Sequence, residues 1–137
     1  MPMPQPQSSY VDDPTTGDDA PLWRRVPPRH FVFDDNLGIW RPSSAAFEDH
    51  PDGSPMSVVL GQEVLAEGRT TDSVLDGYDE FGLVSFPAEL ARVAGQGIMR
   101  RPLAEEPAHA EVFGKKTRSV KKALAKNCQW LVAPPPR

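Results

Sequence analysis

In 137 residues the chain carries 19 acidic and 15 Lys or Arg side chains, a formal charge of −4, with 39% hydrophobic residues and 16 prolines. That is one domain's worth of chain. No run reaches the roughly 18–20 apolar residues of a membrane span, and the single cysteine, Cys128, rules out an intramolecular disulfide. The charge is unevenly placed: residues 1–111 hold all 19 acids and eight arginines, net −11, while residues 112–137 hold all five lysines and two arginines, net +7. An acidic body disfavours bulk binding to nucleic acid and confines anion recognition to the basic segment.

Residues 1–20, rich in Pro, Gln, Ser, Asp and Thr, hold too few large apolar groups to offset ordering entropy and are expected to form a disordered tail. They also lack the basic start and apolar stretch of a secretory signal, which makes the cytoplasm the expected compartment. A single domain is then expected over 21–133, with a proline-rich end at 134–137 that does not pack. In "PLWRRV" and "HFVFD" the apolar and aromatic runs predict two strands, separated by prolines that forbid helix. The stretch "DDNLGIWRPSSAAFEDHPDGSP" reads as a long loop with "SSAAF" as a short strand, and Asp52 and Gly53 suit a tight turn.

Next, "MSVVLGQEVLAEG" divides into a β-branched strand and a helical turn closed by Gly68. Thr71 or Asp72 is placed to cap a short helix in "TDSVLDGYDE". "FGLVSF" has strand length, and "PAELARVAG" begins on a helix-compatible proline, with Leu90, Val93 and Ala94 on one face. "GIMRR" and "AHAEVFG" predict strands, "TRSVKKALAKN" a helix capped by Thr117, and "CQWLV" a last strand, where Cys128 reads as a small buried apolar residue. The pattern predicts an α+β fold, a small mixed sheet with two or three helices packed on one face.

The segment "PAHAEVFGKKTRSVKKALAKN" holds the leading candidate site. A nucleotide-binding loop of the form G-x-x-x-x-G-K-[ST] is excluded, because His109 stands at the first glycine position and Lys116 at the hydroxyl position. A simpler anion site remains: Gly114 permits close approach, the helix start at Thr117 is positive, and Lys115 and Lys116 flank it. Along the helix Arg118, Lys122 and Lys126 share one face opposite an apolar stripe of Val120, Ala123, Leu124 and Cys128. The ordinary alternative is a solvated helix face. A second binding edge is expected in "RPSSAAF", where Arg41, Ser43 and Ser44 present a guanidinium and hydroxyls from a loop, against the plainer reading that the serines only satisfy loop backbone.

Two catalytic readings compete with binding. His109 with Lys115 or Lys116, and His30 as a second histidine, has the residue types of metal-independent RNA cleavage, though hydrogen-bonded structural histidines account for them as well. The order Arg24 or Arg25, Ser43 or Ser44, then Glu111 matches that of ADP-ribosyltransferase-like folds. His30, His50, His109 and Cys128 lack metal-ligand spacing, so neither a metal site nor a cofactor is expected.

Taken together, "WRPSSAAF", "DGSPMSV", "GQGIMR" and "PAHAEVFGKKT" resemble a group of short uncharacterised bacterial proteins over about residues 22–132. That resemblance implies a stand-alone bacterial domain and brings no activity, catalytic residue or cofactor with it. The expected function is therefore a binding or accessory module that engages an anionic ligand, a nucleic-acid phosphate or an acidic protein surface through its basic helix, with no membrane partner.

Overall fold

In a computed structural model residues 10–136 are described, and the expectation of disorder for residues 1–9 lies outside them. Eight strands and four α-helices follow one another in a mixed order: β1 (Pro21–Val26), β2 (Phe31–Asp34), β3 (Ile39–Pro42), β4 (Met56–Leu60), α1 (Gly61–Ala66), α2 (Thr71–Val74), β5 (Gly82–Pro87), α3 (Ala88–Val93), β6 (Gly97–Arg100), β7 (His109–Phe113), α4 (Arg118–Asn127) and β8 (Gln129–Val132). Short 3-10 turns occupy Pro28–His30 and Ser44–Phe47. The class is α+β. Six strands form one sheet in the order β6-β7-β4-β1-β5-β8, and β2-β3 form a separate hairpin.

The sheet corrects two expectations. Every ladder in it is antiparallel rather than mixed. The helices between strands are too short, at four to ten residues, to carry a parallel crossover on their own. Helices also cover both faces. The main core holds Leu22, Phe47, Met56, Val58, Phe86, Ile98, Val112 and Leu124 against α3 and α4. A smaller cluster of Trp23, Val59, Val64, Val74 and Leu83 lies beneath α1 and α2. Gly61 makes that second layer possible, because a Cβ there would stand 2.4 Å from the Trp23 indole.

Other differences are local. The expected long loop contains β3, paired with β2 from Phe31↔Pro42 to Asp34↔Ile39. Its Asn and Gly signals belong to the tight turn, where Asp34 Oδ1 accepts from Asn36 and Leu37 amides and Gly38 takes φ +67°. "SSAAF" is a 3-10 turn capped by Ser43, not a strand. The cap of α2 is Thr70, one residue before the expected pair. In α3 the buried positions are Ala88 and Ala91, with Leu90 and Ala94 packed beside them, while Val93 is 79% exposed.

Residues 10–20 are not a free tail. Tyr10 is 7% exposed and stacks on Phe113 at 5.5 Å, Asp13 N–H donates to Ile98 O at 2.7 Å, and Asp12 Oδ1 accepts from Ile98 N–H. Arg92 donates to Asp12 and Asp18. Average composition concealed this, because two apolar anchors, Tyr10 and Ala20, and an arginine on α3 suffice to dock an acidic segment. At the other end Pro134 is buried and Pro135 O accepts from Trp40 Nε1 at 3.0 Å, so the proline-rich end packs on the hairpin. No described helix is long and apolar enough to cross a membrane.

Candidate anion-binding site

The corner between β7 and α4 is built as its residues predict but is already occupied. Thr117 caps α4 by accepting from Val120 N–H at 3.2 Å, which uses the hydroxyl. Gly114 takes φ +133°, and the space its missing Cβ leaves is filled by the Gln96 amide, whose atoms stand 2.8 Å from where a Cβ would lie. That amide donates to Lys115 O at 3.1 Å. Lys116 folds back instead of reaching out. Its side chain is 5% exposed, its Nζ lies 2.9 Å from Asp49 Oδ1, and it donates to Val112 O and Gly114 O at 2.8 and 3.0 Å. Burial lowers its pKa, opposed by Asp49. Gly114, Lys116 and Thr117 are thus committed to internal partners, which corrects the expectation that they face a ligand.

Farther along α4 the outcome reverses. Val120 and Leu124 are buried and hold the helix on the sheet, so Arg118, Lys122 and Lys126 point outward. Lys121 pairs with Glu48 at 3.1 Å. Lys115, Arg118, Lys122, Lys126 and Arg41 pair with no described acidic residue. Packing of α4 against the Ser44–Phe47 turn then joins two segments about eighty residues apart. Arg41, Pro42 and Ser44 from one, Lys122, Ala125 and Lys126 from the other, line a single hollow of about 290 Å³. Three cations and a hydroxyl surround it over a small apolar floor, with no acid in its lining. Ser43 does not join them, since its Oγ accepts from Ala45 N–H at 3.2 Å to cap the turn.

The remaining candidates are dispersed. His109 is held at both ring nitrogens, Nδ1 to Arg101 O at 2.7 Å and Nε2 to Ser57 Oγ at 3.1 Å. A carbonyl only accepts, so Nδ1 donates to Arg101 O, and Nε2 shares a hydrogen bond with Ser57 Oγ. The hollow beside His109 is lined by Arg25, Ser57, Arg69 and Glu106, and neither Lys115 nor Lys116 lines it. His30 lines other hollows, which reach the far side of Ser57; its Nδ1 is buried without a partner, and burial and Arg29 lower its pKa. Glu111 is 8% exposed, 3.6 Å from Arg101, with its pKa raised by burial. Alternation along β7 puts it on the face opposite Ala110 and Val112, away from Ser43 and Ser44. Arg24 lies on the main-core face, donating to Ala46 O and Ser57 O at 3.0 and 2.8 Å.

Sequence reasoning passed over several groups that shape the surface. Arg69 binds Glu106 through both amino groups, at 3.0 and 2.5 Å, which depresses the Glu106 carboxyl. Arg25 stacks over Tyr78 at 4.2 Å. The consecutive arginines of "PLWRRV" did carry a signal, since neighbours in a strand face opposite ways and one of two must enter the interior. Cys128, expected to be buried, is only partly so, packed at the edge of the main core with its pKa pushed up to about 11 by burial. Among the described residues no three His, Cys, Asp or Glu side chains converge as metal ligands. Compared with protein-family models, curated proteins and solved structures, the chain matches none, so the chemistry of its sites rests on its own residues.

Proposed function

We propose that the protein is a binding or accessory module that takes an anionic group, a carboxylate or phosphate of a ligand or acidic partner, in the hollow between α4 and the Ser44–Phe47 turn. The observation that supports this most is the convergence of Arg41, Ser44, Lys122 and Lys126 on one cavity whose lining contains no acid. A planar guanidinium fits an oxyanion bidentately, and two ammonium groups add charge without imposing geometry. The Pro42 and Ala125 surfaces favour an anion attached to a short apolar stem. The acid-rich remainder of the chain repels a long polyanion and so limits recognition to one group at a time.

Titration of a labelled octaglutamate peptide and of inorganic phosphate into the full chain, at low and high salt, tests the reading. Saturable, salt-sensitive binding that Lys122→Glu with Lys126→Glu weakens by about tenfold or more supports it. Lys115→Glu, altering a cation outside the hollow, is expected to have a smaller effect. Binding that the double reversal leaves unchanged sinks the proposal.

A further inference from the structure

A second cationic hollow, sharing no lining residue with the first, lies at the end of the sheet where β1 and β4 part. Their ladder holds only at Leu22↔Leu60 and Trp23↔Val59. Beyond it Arg24, Arg25 and Arg29 converge on a space of about 400 Å³, whose lining contains no acidic residue. This volume falls within the range of about 300–1,000 Å³ typical of small-molecule sites.

Among the described residues no acidic side chain forms an ion pair with these three arginines. Arg24 is bound only to carbonyl oxygens, those of Ala46 and Ser57 and, at 3.5 Å, Glu48. Burial and the neighbouring Arg25 push its pKa down to about 10, with Asp49 opposing. Glu48 and Asp49 border the adjoining hollow, but each has its own cation, Lys121 at 3.1 Å and Lys116 at 2.9 Å. On the far side Asp76, Glu105 and Glu106 line the next hollow, and Glu106 is bound by Arg69. Three guanidinium groups therefore share one partly enclosed space, and a bound anion relieves their repulsion.

Donors in the hollow remain free. Arg25 uses Nε on Val74 O at 2.7 Å, which leaves both amino groups without a described protein partner. Arg29 is exposed and makes no ion pair with a described residue. His30 Nδ1 is buried and unpartnered, whereas Ser57 Oγ is engaged by His109. Two arginine edges match a doubly charged tetrahedral oxyanion better than a single carboxylate. Beside them Tyr78 and Phe81, ring centroids 5.3 Å apart, form an aromatic wall, with the Arg25 guanidinium stacked on Tyr78.

We propose that this hollow binds a phosphate monoester carried on a planar ring, the chemistry of a nucleoside monophosphate. Arg25 and Arg29 take the phosphate, and the ring packs against Tyr78 and Phe81. Calorimetric titration of the full chain with AMP, UMP, inorganic phosphate and adenosine tests this. Expected is saturable binding of AMP or UMP at a site weakened about tenfold or more by Arg29→Glu, partly restored by Arg29→Lys, and unaffected by Lys122→Glu. Arg29 is exposed, and an unchanged thermal transition of its variants confirms that they fold. Inorganic phosphate binding that is as tight as that of AMP and is weakened by Arg29→Glu overturns the role of the ring. AMP binding lost in Lys122→Glu but kept in Arg29→Glu overturns the placement, and no saturable binding of either nucleotide overturns the proposal.

Discussion

Two parts of one basic segment, the corner at Gly114–Thr117 and the outer flank of α4, both carry lysines and have opposite fates. At the corner Lys116 is drawn inward to Asp49 and two carbonyls, and Gln96 fills the space over Gly114. On the flank Lys122 and Lys126 stand clear and meet Arg41 from a distant strand. A lysine is available to a ligand only when the fold supplies no acceptor within its reach. Charge density along the chain therefore overstates the corner and understates the flank.

Substitution separates the two most sharply at the lysines themselves. Lys116→Ala leaves Asp49 without its cation and is expected to lower unfolding free energy by about 2–4 kcal/mol, whereas Lys122→Ala should stay within about 0.5 kcal/mol. Urea denaturation measures both, and equal effects would erase the distinction between committed and free charge.

Gly114→Ala comes next, because it forces a side chain onto a positive φ and into the Gln96 amide. A loss of about 1–3 kcal/mol is expected in the same measurement. An unchanged midpoint would mean that the corner is open after all.

The smallest effect has the opposite sign. Burial raises the folded-state pKa of Glu111 above its ordinary value, so the folded state holds this proton more tightly than the unfolded chain. Its contribution to stability is complete below the ordinary glutamate range and is lost as pH rises through the raised pKa. Glu111→Gln is therefore expected to stabilise the protein by about 0.5–1 kcal/mol at pH 7, and the gain should vanish below the ordinary glutamate pKa. Thermal melts across that range check it.

Local signals were legible where a residue answers to its near neighbours. Thr117 caps α4 as its position before the helix predicts, and Val120 and Leu124 face the core at the expected spacing. The turn signals around Gly38 were visible too, but they mark a tight hairpin within what reads as a long loop. Arg41 and Ser44 stood out in the sequence as a candidate binding edge, and Lys122 and Lys126 as a basic face. Their meeting was not, because it depends on how α4 seats on the Ser44–Phe47 turn. The Arg24–Arg25–Arg29 hollow was less legible still, since it needs β1 and β4 to part and Tyr78 to arrive from the loop before β5.

The sequence by itself determined the α+β class, most of the strands, the cap of α4 and the concentration of lysine in twelve residues. These follow from propensity, periodicity and capping, all of which act over a few residues. Tertiary structure alone decided that the sheet is antiparallel, that an acidic segment docks on β6 and Arg92, and which cations are neutralised. Charge pairing depends on distances between residues far apart in the chain, and only the packed fold sets those distances.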